Sequence, residues 1–127
     1  MNCLHAVSRR SLLLGGAAAS VSLLGAAQVF AASSDAPIVL VHGAWHGGWC
    51  WRKLLSVLRK AGRETFAPTL TGLGERSHSI NAEIDLSTHI SDVAAVLEYE
   101  NLNGVVLVGH SYGGMVISGV AEKAGPR

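Results

Sequence analysis

Hydrophobic residues downstream of position 36 form short continuous segments that alternate with longer stretches of helical periodicity. Three of the short segments predict strands, each ended by a glycine or a proline. They are "PIVLVHG" at residues 37–43, "ETFAP" at residues 64–68 and "GVVLVG" at residues 104–109. Because the first and third are apolar at nearly every position, we expect those strands to be buried on both faces.

The stretches that follow the three strands predict helices, because their apolar residues recur every three or four positions. The first helix ends at Gly62, and the second begins at an N-cap, Ser87, and ends near Glu98. The third follows Ser111. The apolar positions of the three helices are Trp51, Leu54, Leu55, Leu58 and Ala61; Ile90, Val93, Val96 and Leu97; and Met115, Val116, Val120 and Ala121. Residues 69–84, rich in Gly, Ser and Thr, predict a loop.

The predicted order is therefore strand, helix, strand, helix, strand, helix. This alternation is typical of βαβ units with right-handed crossovers, so the sequence predicts an α/β fold around a parallel sheet of about three strands and three helices. The strand at residues 104–109 is very apolar. We expect residues 104–108 of this strand to form an unpaired edge of the sheet, which predicts marginal stability and association between copies, while the oligomeric state stays open.

The first 31 residues have the pattern of an export signal. Arg9 and Arg10 precede a stretch from Ser11 to Ser34 that contains no charged residue. The segment "SRRSLLL" resembles a twin-arginine signal, which implies recognition by that export machinery and a periplasmic or secreted protein. Small residues around Ala31 predict cleavage there, leaving residues 32–127 as the mature domain. The alternative is a retained membrane anchor, since the stretch is long enough to span a bilayer.

Charge and composition exclude one class of partner. The formal net charge is +1, and charged residues make up 15% of the chain without forming a basic stripe. Nothing in this pattern favours a nucleic-acid partner. The chemistry must therefore be sought in local motifs.

The segment "GHSYG", residues 109–113, matches the G-x-S-x-G pattern of a nucleophile elbow. A valine-rich strand leads into it and a helical pattern leaves it, which is the context that the elbow requires. Gly109 and Gly113 fit positions where neighbouring backbone comes too close for a side chain. Ser111 is therefore the candidate nucleophile, and the alternative is a serine in an ordinary turn.

A nucleophilic serine also needs main-chain N–H groups that converge on the developing oxyanion. Tyr112, directly after Ser111, supplies one candidate. The loop "HGAWHGGW", residues 42–49, follows the first strand, where Gly43 permits a sharp turn and the Ala44 N–H is the second candidate. The alternative is a strand-to-helix loop that uses glycine only for turning. Trp45 either borders a substrate entrance or packs in the core.

Three segments together carry a family resemblance: "VLVHGAWHGGWCW", "PTLTGLGERSH" and "VVLVGHSYGGMVI". They resemble the α/β-hydrolase superfamily over residues 36–125, and most closely small bacterial hydrolases related to plant methylesterases and hydroxynitrile lyases. The resemblance implies hydrolysis of a small ester, with Ser111 forming an acyl-enzyme and with no metal or other cofactor. A threonine at the position of Gly43 and a cysteine at that of Tyr112 are typical of the lyases, so esterase chemistry is favoured.

The resemblance also implies an acid and then a histidine after the nucleophile. Glu122 is the only acidic residue after Ser111, and all six histidines precede it: His5, His42, His46, His78, His89 and His110. We expect His42 and His46 to hydrogen-bond the loop backbone, and none of the others to act as the base. The sequence therefore predicts an incomplete, N-terminal part of a hydrolase that is inactive alone. The alternative is a non-catalytic remnant that binds ligands without turnover.

Overall fold

The structure, a computed structural model, describes residues 35–125. The predicted export signal at residues 1–31 lies outside the described residues. The three strands are β1 (Ile38–Val41), β2 (Thr65–Phe66) and β3 (Val106–Gly109). The three α-helices are α1 (Arg52–Lys60), α2 (Leu86–Tyr99) and α3 (Tyr112–Ala124), and two 3-10 turns span Gly48–Trp51 and Gly74–Ser79.

The strands form a parallel sheet in the order β2-β1-β3. Ile38 lies opposite both Thr65 and Val106, and Val41 lies opposite Gly109. All four residues of β1 are buried, as expected for the central strand of a covered parallel sheet. The α/β fold and the parallel sheet predicted from the sequence are therefore confirmed.

One face of the sheet is covered by α2 and α3, which pack against each other and form the main core. The apolar stripes of the two helices meet the side chains of β1 that point to that face. The buried members of this core are Val39, Val41, Leu70, Val93, Leu97, Leu102, Val116 and Val120. Removing a Val or Leu side chain of this kind from water contributes about 1.5–3 kcal/mol to folding, so this cluster is the main apolar contribution to stability.

The helix α1 has the apolar spacing of an amphipathic helix, yet none of its residues is buried. Leu55 and Leu58 are half-buried, whereas Leu54 remains 39% exposed and Ala61 is exposed. The predicted end of this helix is confirmed. Gly62 follows it with φ 74°, a left-handed conformation that glycine adopts without strain.

The N-cap of α2 is Asp85 and not Ser87, which corrects the prediction from the sequence. The Asp85 carboxylate accepts a hydrogen bond from the Thr88 N–H at 2.9 Å, and the Thr88 hydroxyl completes a capping box. Ser87 lies inside the first turn, where its hydroxyl donates to the Asp85 carboxylate at 3.0 Å. The backbone therefore enters the helix two residues earlier than the serine predicted.

Within residues 35–125, β3 pairs with β1 alone, so its other edge has no strand beside it. This agrees with the edge position anticipated from the sequence. The same residues contain no helix both long enough and apolar enough to cross a bilayer.

Candidate active site

Ser111 occupies the corner between the end of β3 and the start of α3. Its backbone has φ 51° and ψ −119°, in a region that residues with a side chain rarely adopt. Such a conformation costs about 1–3 kcal/mol and persists only where the surroundings impose it. The serine is exposed, so its hydroxyl reaches the surface at a strained position.

Two glycines make this corner sterically possible. A Cβ at Gly109 would lie 2.5 Å from the main-chain oxygen of Gly113, and a Cβ at Gly113 would lie 2.5 Å from the oxygen of Val41. Both neighbours are backbone atoms that cannot rotate away. The turn therefore requires glycine at the two positions where the sequence pattern has it.

The loop after β1 lies directly against the corner. A Cβ at Gly43 would approach the Ser111 Cβ to 3.3 Å and the His110 Nδ1 to 2.9 Å. The structure thus brings together the two segments that the sequence predicted to share a site. Among residues 35–125, neither the Ala44 N–H nor the Tyr112 N–H donates a backbone hydrogen bond to another residue.

The first histidine of the loop, His42, is fully buried and holds two segments together. Its Nδ1–H donates to the oxygen of Gly43 at 2.8 Å, and its Nε2 accepts from the Leu70 N–H at 3.0 Å. Because the backbone N–H must donate, the ring is neutral and carries its proton on Nδ1. Burial lowers the pKa of His42 below its ordinary value of 6.5, which favours this neutral form.

The second histidine of the loop, His46, makes a similar contact with the backbone. Its Nδ1 lies 2.8 Å from the oxygen of Ala44. The prediction that His42 and His46 hydrogen-bond the loop backbone is therefore confirmed.

Aromatic and imidazole rings lie beside the corner. Trp45 is 88% exposed and has φ 65°, so the interpretation of this side chain as core is wrong. The His46 ring lies 5.9 Å from that of Trp49 and 6.1 Å, edge to face, from that of His110. His110 and its neighbour Ser111 therefore stand at one end of a row of exposed or half-buried rings.

Comparison with known proteins identifies the family to which this chain belongs. Residues 38–126 match the model of the alpha/beta hydrolase family, which is most of the chain. The chain belongs to the alpha/beta hydrolase family. The resemblance predicted from the sequence motifs is confirmed by this match.

Similar proteins within the family are esterases. The chain is 55% identical over 92 residues to a carbendazim hydrolyzing esterase of a Nocardioides species, covering 72% of this chain and 38% of that protein. It is 39% identical over 85 residues to putative methylesterase 11 of Arabidopsis thaliana, covering 66% of this chain and 22% of that protein. The chain therefore spans well under half the length of these relatives.

Solved structures agree with the fold. An extracellular alpha/beta-hydrolase from a Paenibacillus species superposes with a TM-score of 0.63 at 30% identity, covering 69% of this chain and 35% of the other. Polyneuridine aldehyde esterase gives a TM-score of 0.59 at 31% identity, with 70% of this chain and 35% of the other covered. These partial matches agree with the prediction that the chain holds only part of an alpha/beta hydrolase domain.

A partly buried chain of hydrogen bonds that ends at Tyr112, next to Ser111, was missed by sequence reasoning. The His89 Nδ1 lies 2.7 Å from the Tyr112 hydroxyl, and the His89 Nε2 lies 2.9 Å from the oxygen of Thr71. Asp92 accepts from the Thr71 N–H at 2.6 Å and from its hydroxyl at 2.8 Å. The available signal was a histidine on an apolar helix stripe, four residues before the buried Val93.

The ring contacts of His89 fix the role of one of its nitrogens. A carbonyl oxygen can only accept, so the His89 Nε2 carries a proton, and with the proton there the Nδ1 of the singly protonated ring accepts from the Tyr112 hydroxyl. Burial raises the pKa of Tyr112, and the negative charge of Asp85 acts in the same direction. The phenol therefore stays protonated and remains a donor to His89 well above neutral pH.

Both ring nitrogens of His42 and of His89, and the Nδ1 of His46, are directed at groups other than Ser111. His42 and His46 bond the loop backbone, and His89 bonds Tyr112 and Thr71. Within the described residues 35–125, no group of three or more His, Cys, Asp or Glu side chains is arranged to hold a metal ion.

Proposed function

We propose that this chain carries the nucleophile and the oxyanion-binding segment of a serine esterase. The Ser111 hydroxyl would attack the carbonyl carbon of a small ester. The alcohol would leave, and water would then release the acid from the acyl-enzyme. The observation that carries the proposal is the strained backbone of Ser111 at a strand-to-helix corner, held against the Gly43 loop.

The oxyanion would bind between two main-chain donors, the N–H groups of Ala44 and Tyr112. Tyr112 is the first residue of α3, so the positive end of the helix dipole also faces the developing negative charge. Donors of this kind accelerate acyl transfer because they are already oriented when the charge appears, and one donor contributes roughly 10²–10³-fold.

A serine hydroxyl is a poor nucleophile at neutral pH without a base. We place the base and its acidic partner outside residues 35–125, because the triad of this fold runs in the order serine, acid, histidine and all five histidines of these residues precede Ser111. The ring nitrogens of His42 and His89 are also engaged elsewhere. The 127-residue chain alone should then bind esters without turnover.

The substrate proposal rests on the names of the relatives. One similar protein hydrolyses carbendazim and others are methylesterases, so a small ester is the substrate class that we assign to the complete site.

We also propose that Arg9 and Arg10 direct export by the twin-arginine route. Replacing both with lysine should keep a fused reporter out of the periplasm.

A chimaera tests the esterase proposal most directly. Residues 35–125 would replace the matching segment of the Nocardioides esterase, which is 55% identical. We expect the chimaera to hydrolyse carbendazim, Ser111→Ala within it to lower kcat by at least about 10⁴-fold, and the chain alone to have no turnover.

Each contrary result identifies the part of the proposal that is wrong. A folded but inactive chimaera would reject Ser111 and its loop as a working site and favour a non-catalytic remnant. Turnover by the 127-residue chain alone, abolished by Ser111→Ala, would reject the placement of the base outside residues 35–125.

A further inference from the structure

The Tyr112 side chain is anchored from a different helix than its own. Tyr112 begins α3, whereas His89, whose Nδ1 is hydrogen-bonded to the Tyr112 hydroxyl at 2.7 Å, lies in the first half of α2. The two rings also meet edge to face with centroids 5.6 Å apart. The contact therefore fixes the Tyr112 side chain in direction as well as in distance.

His89 is itself held from its other side. It is 6% exposed, and its Nε2–H donates to the Thr71 oxygen, while Asp92 holds the Thr71 N–H and hydroxyl. Thr71 belongs to the segment between β2 and α2. The imidazole thus cannot turn without breaking a hydrogen bond at each of its nitrogens.

The geometry points to His89 as a positioning residue for the oxyanion-binding N–H of Tyr112. This inference rests on the proposed function, in which that N–H is a donor to the oxyanion. The strained Ser111 precedes Tyr112 directly, and such strain persists only where neighbouring residues are fixed. By holding the phenol, His89 fixes the residue whose N–H must already point at the oxyanion.

The inference also separates His89 from a catalytic base. Its acceptor nitrogen bonds a phenol that stays protonated, and its donor nitrogen bonds a carbonyl oxygen. The ring acts through Tyr112 and does not take the proton of Ser111. A glutamine at this position offers a carbonyl oxygen and an amide N–H in one planar group, so it reproduces both contacts.

Nuclear magnetic resonance of the full 127-residue chain, labelled with ¹⁵N, tests the inference without requiring activity. We expect the His89 Nε2 to carry a proton that is hydrogen-bonded to the Thr71 oxygen. The Tyr112 amide should have an order parameter of about 0.85 in the wild type, falling toward about 0.6 in His89→Leu and in Tyr112→Phe. His89→Gln should restore it.

A matched control separates positioning from general destabilisation. Val120→Ala creates a cavity under the same helix, far along it from Tyr112, and should leave the Tyr112 amide unchanged. An unchanged amide in His89→Leu would overturn the inference, and so would an equal response in Val120→Ala. An inactive chimaera together with a responsive amide would reject the esterase proposal and leave the contact between His89 and Tyr112 standing.

Discussion

The Nε2 atom of His42 accepts a hydrogen bond from the main-chain N–H of Leu70 at 3.0 Å. The same ring donates to the oxygen of Gly43. One buried imidazole therefore joins the loop after β1 to the segment after β2, and it holds the turn that places Gly43 against Ser111. This arrangement needs a neutral ring.

The first prediction concerns the pH dependence of stability through His42. Burial lowers the pKa of His42 in the folded state below its value of 6.5. Between the two pKa values the unfolded chain binds more protons, so the free energy of unfolding falls as the pH drops below 6.5. Urea unfolding at pH 7.5 and 5.5 measures the difference. His42→Asn should reduce that difference, and an undiminished one would contradict the role given to His42.

The second prediction compares two adjacent glycines of α3. Gly113→Ala should lower the free energy of unfolding by about 1–3 kcal/mol, because the new Cβ would meet the backbone oxygens of Val41 and His42. Gly114→Ala is the matched control, since a Cβ there meets nothing within 4 Å. It should be neutral or stabilising by up to about 1 kcal/mol. If Gly113→Ala and Gly114→Ala change the free energy of unfolding equally in urea, then Gly113 does not lie as close to the backbone of Val41 and His42 as described.

The third prediction concerns the strain at Ser111. Ser111→Gly should raise the free energy of unfolding by about 1 kcal/mol or more, because glycine adopts positive φ without the steric cost that serine bears. Ser111→Ala keeps a Cβ and should not give this gain. Thermal unfolding of the three proteins side by side makes the comparison. If glycine and alanine have the same effect, the backbone at this corner is not strained.

A structural feature could be predicted from the sequence when neighbouring residues encode it, and could not when it depends on packing between distant segments. The strands β1 and β3 and the turn at Ser111 were predictable, because continuous apolar residues and glycine spacing express them within a few positions. The packing of α1 was not. Its apolar residues have helical spacing, yet none of them is buried, because burial depends on which segments of the fold pack against the helix and not on the spacing itself.

The residues of the candidate site also fall into two groups, those that the sequence could predict and those that it could not. Ser111, Gly43 and Ala44 could be proposed from two short motifs and their flanking strands. The contact between His89 and Tyr112 could not, because it joins residues 23 positions apart through the packing of two helices. A polar residue on an apolar stripe indicates that a partner exists, but only the fold identifies it.

The fourth prediction tests which residue caps α2. Asp85→Ala should lower the Tm more than Ser87→Ala does, because the Asp85 carboxylate accepts from the Thr88 N–H whereas Ser87 only contacts that carboxylate. The hydrogen bonds from Thr88 and Ser87 lower the pKa of Asp85. Its stabilising effect is therefore complete above the unfolded pKa and is lost as the pH falls through the folded one. A larger effect of Ser87→Ala would restore the serine as the cap.

The last prediction concerns the unpaired edge of β3 within the described residues. An apolar edge strand pairs readily with a second copy, so the full chain should associate with increasing concentration. Val106→Lys places a charge on that strand and should raise the apparent Kd of association about tenfold, equivalent to about 1.4 kcal/mol. Ser118→Lys adds the same charge on an exposed position of α3 and should leave the Kd unchanged. Sedimentation velocity over a concentration series measures both variants. If the two lysine variants weaken association equally, the cause is net charge and not pairing through β3. A wild type that stays monomeric at all concentrations would also exclude pairing through β3.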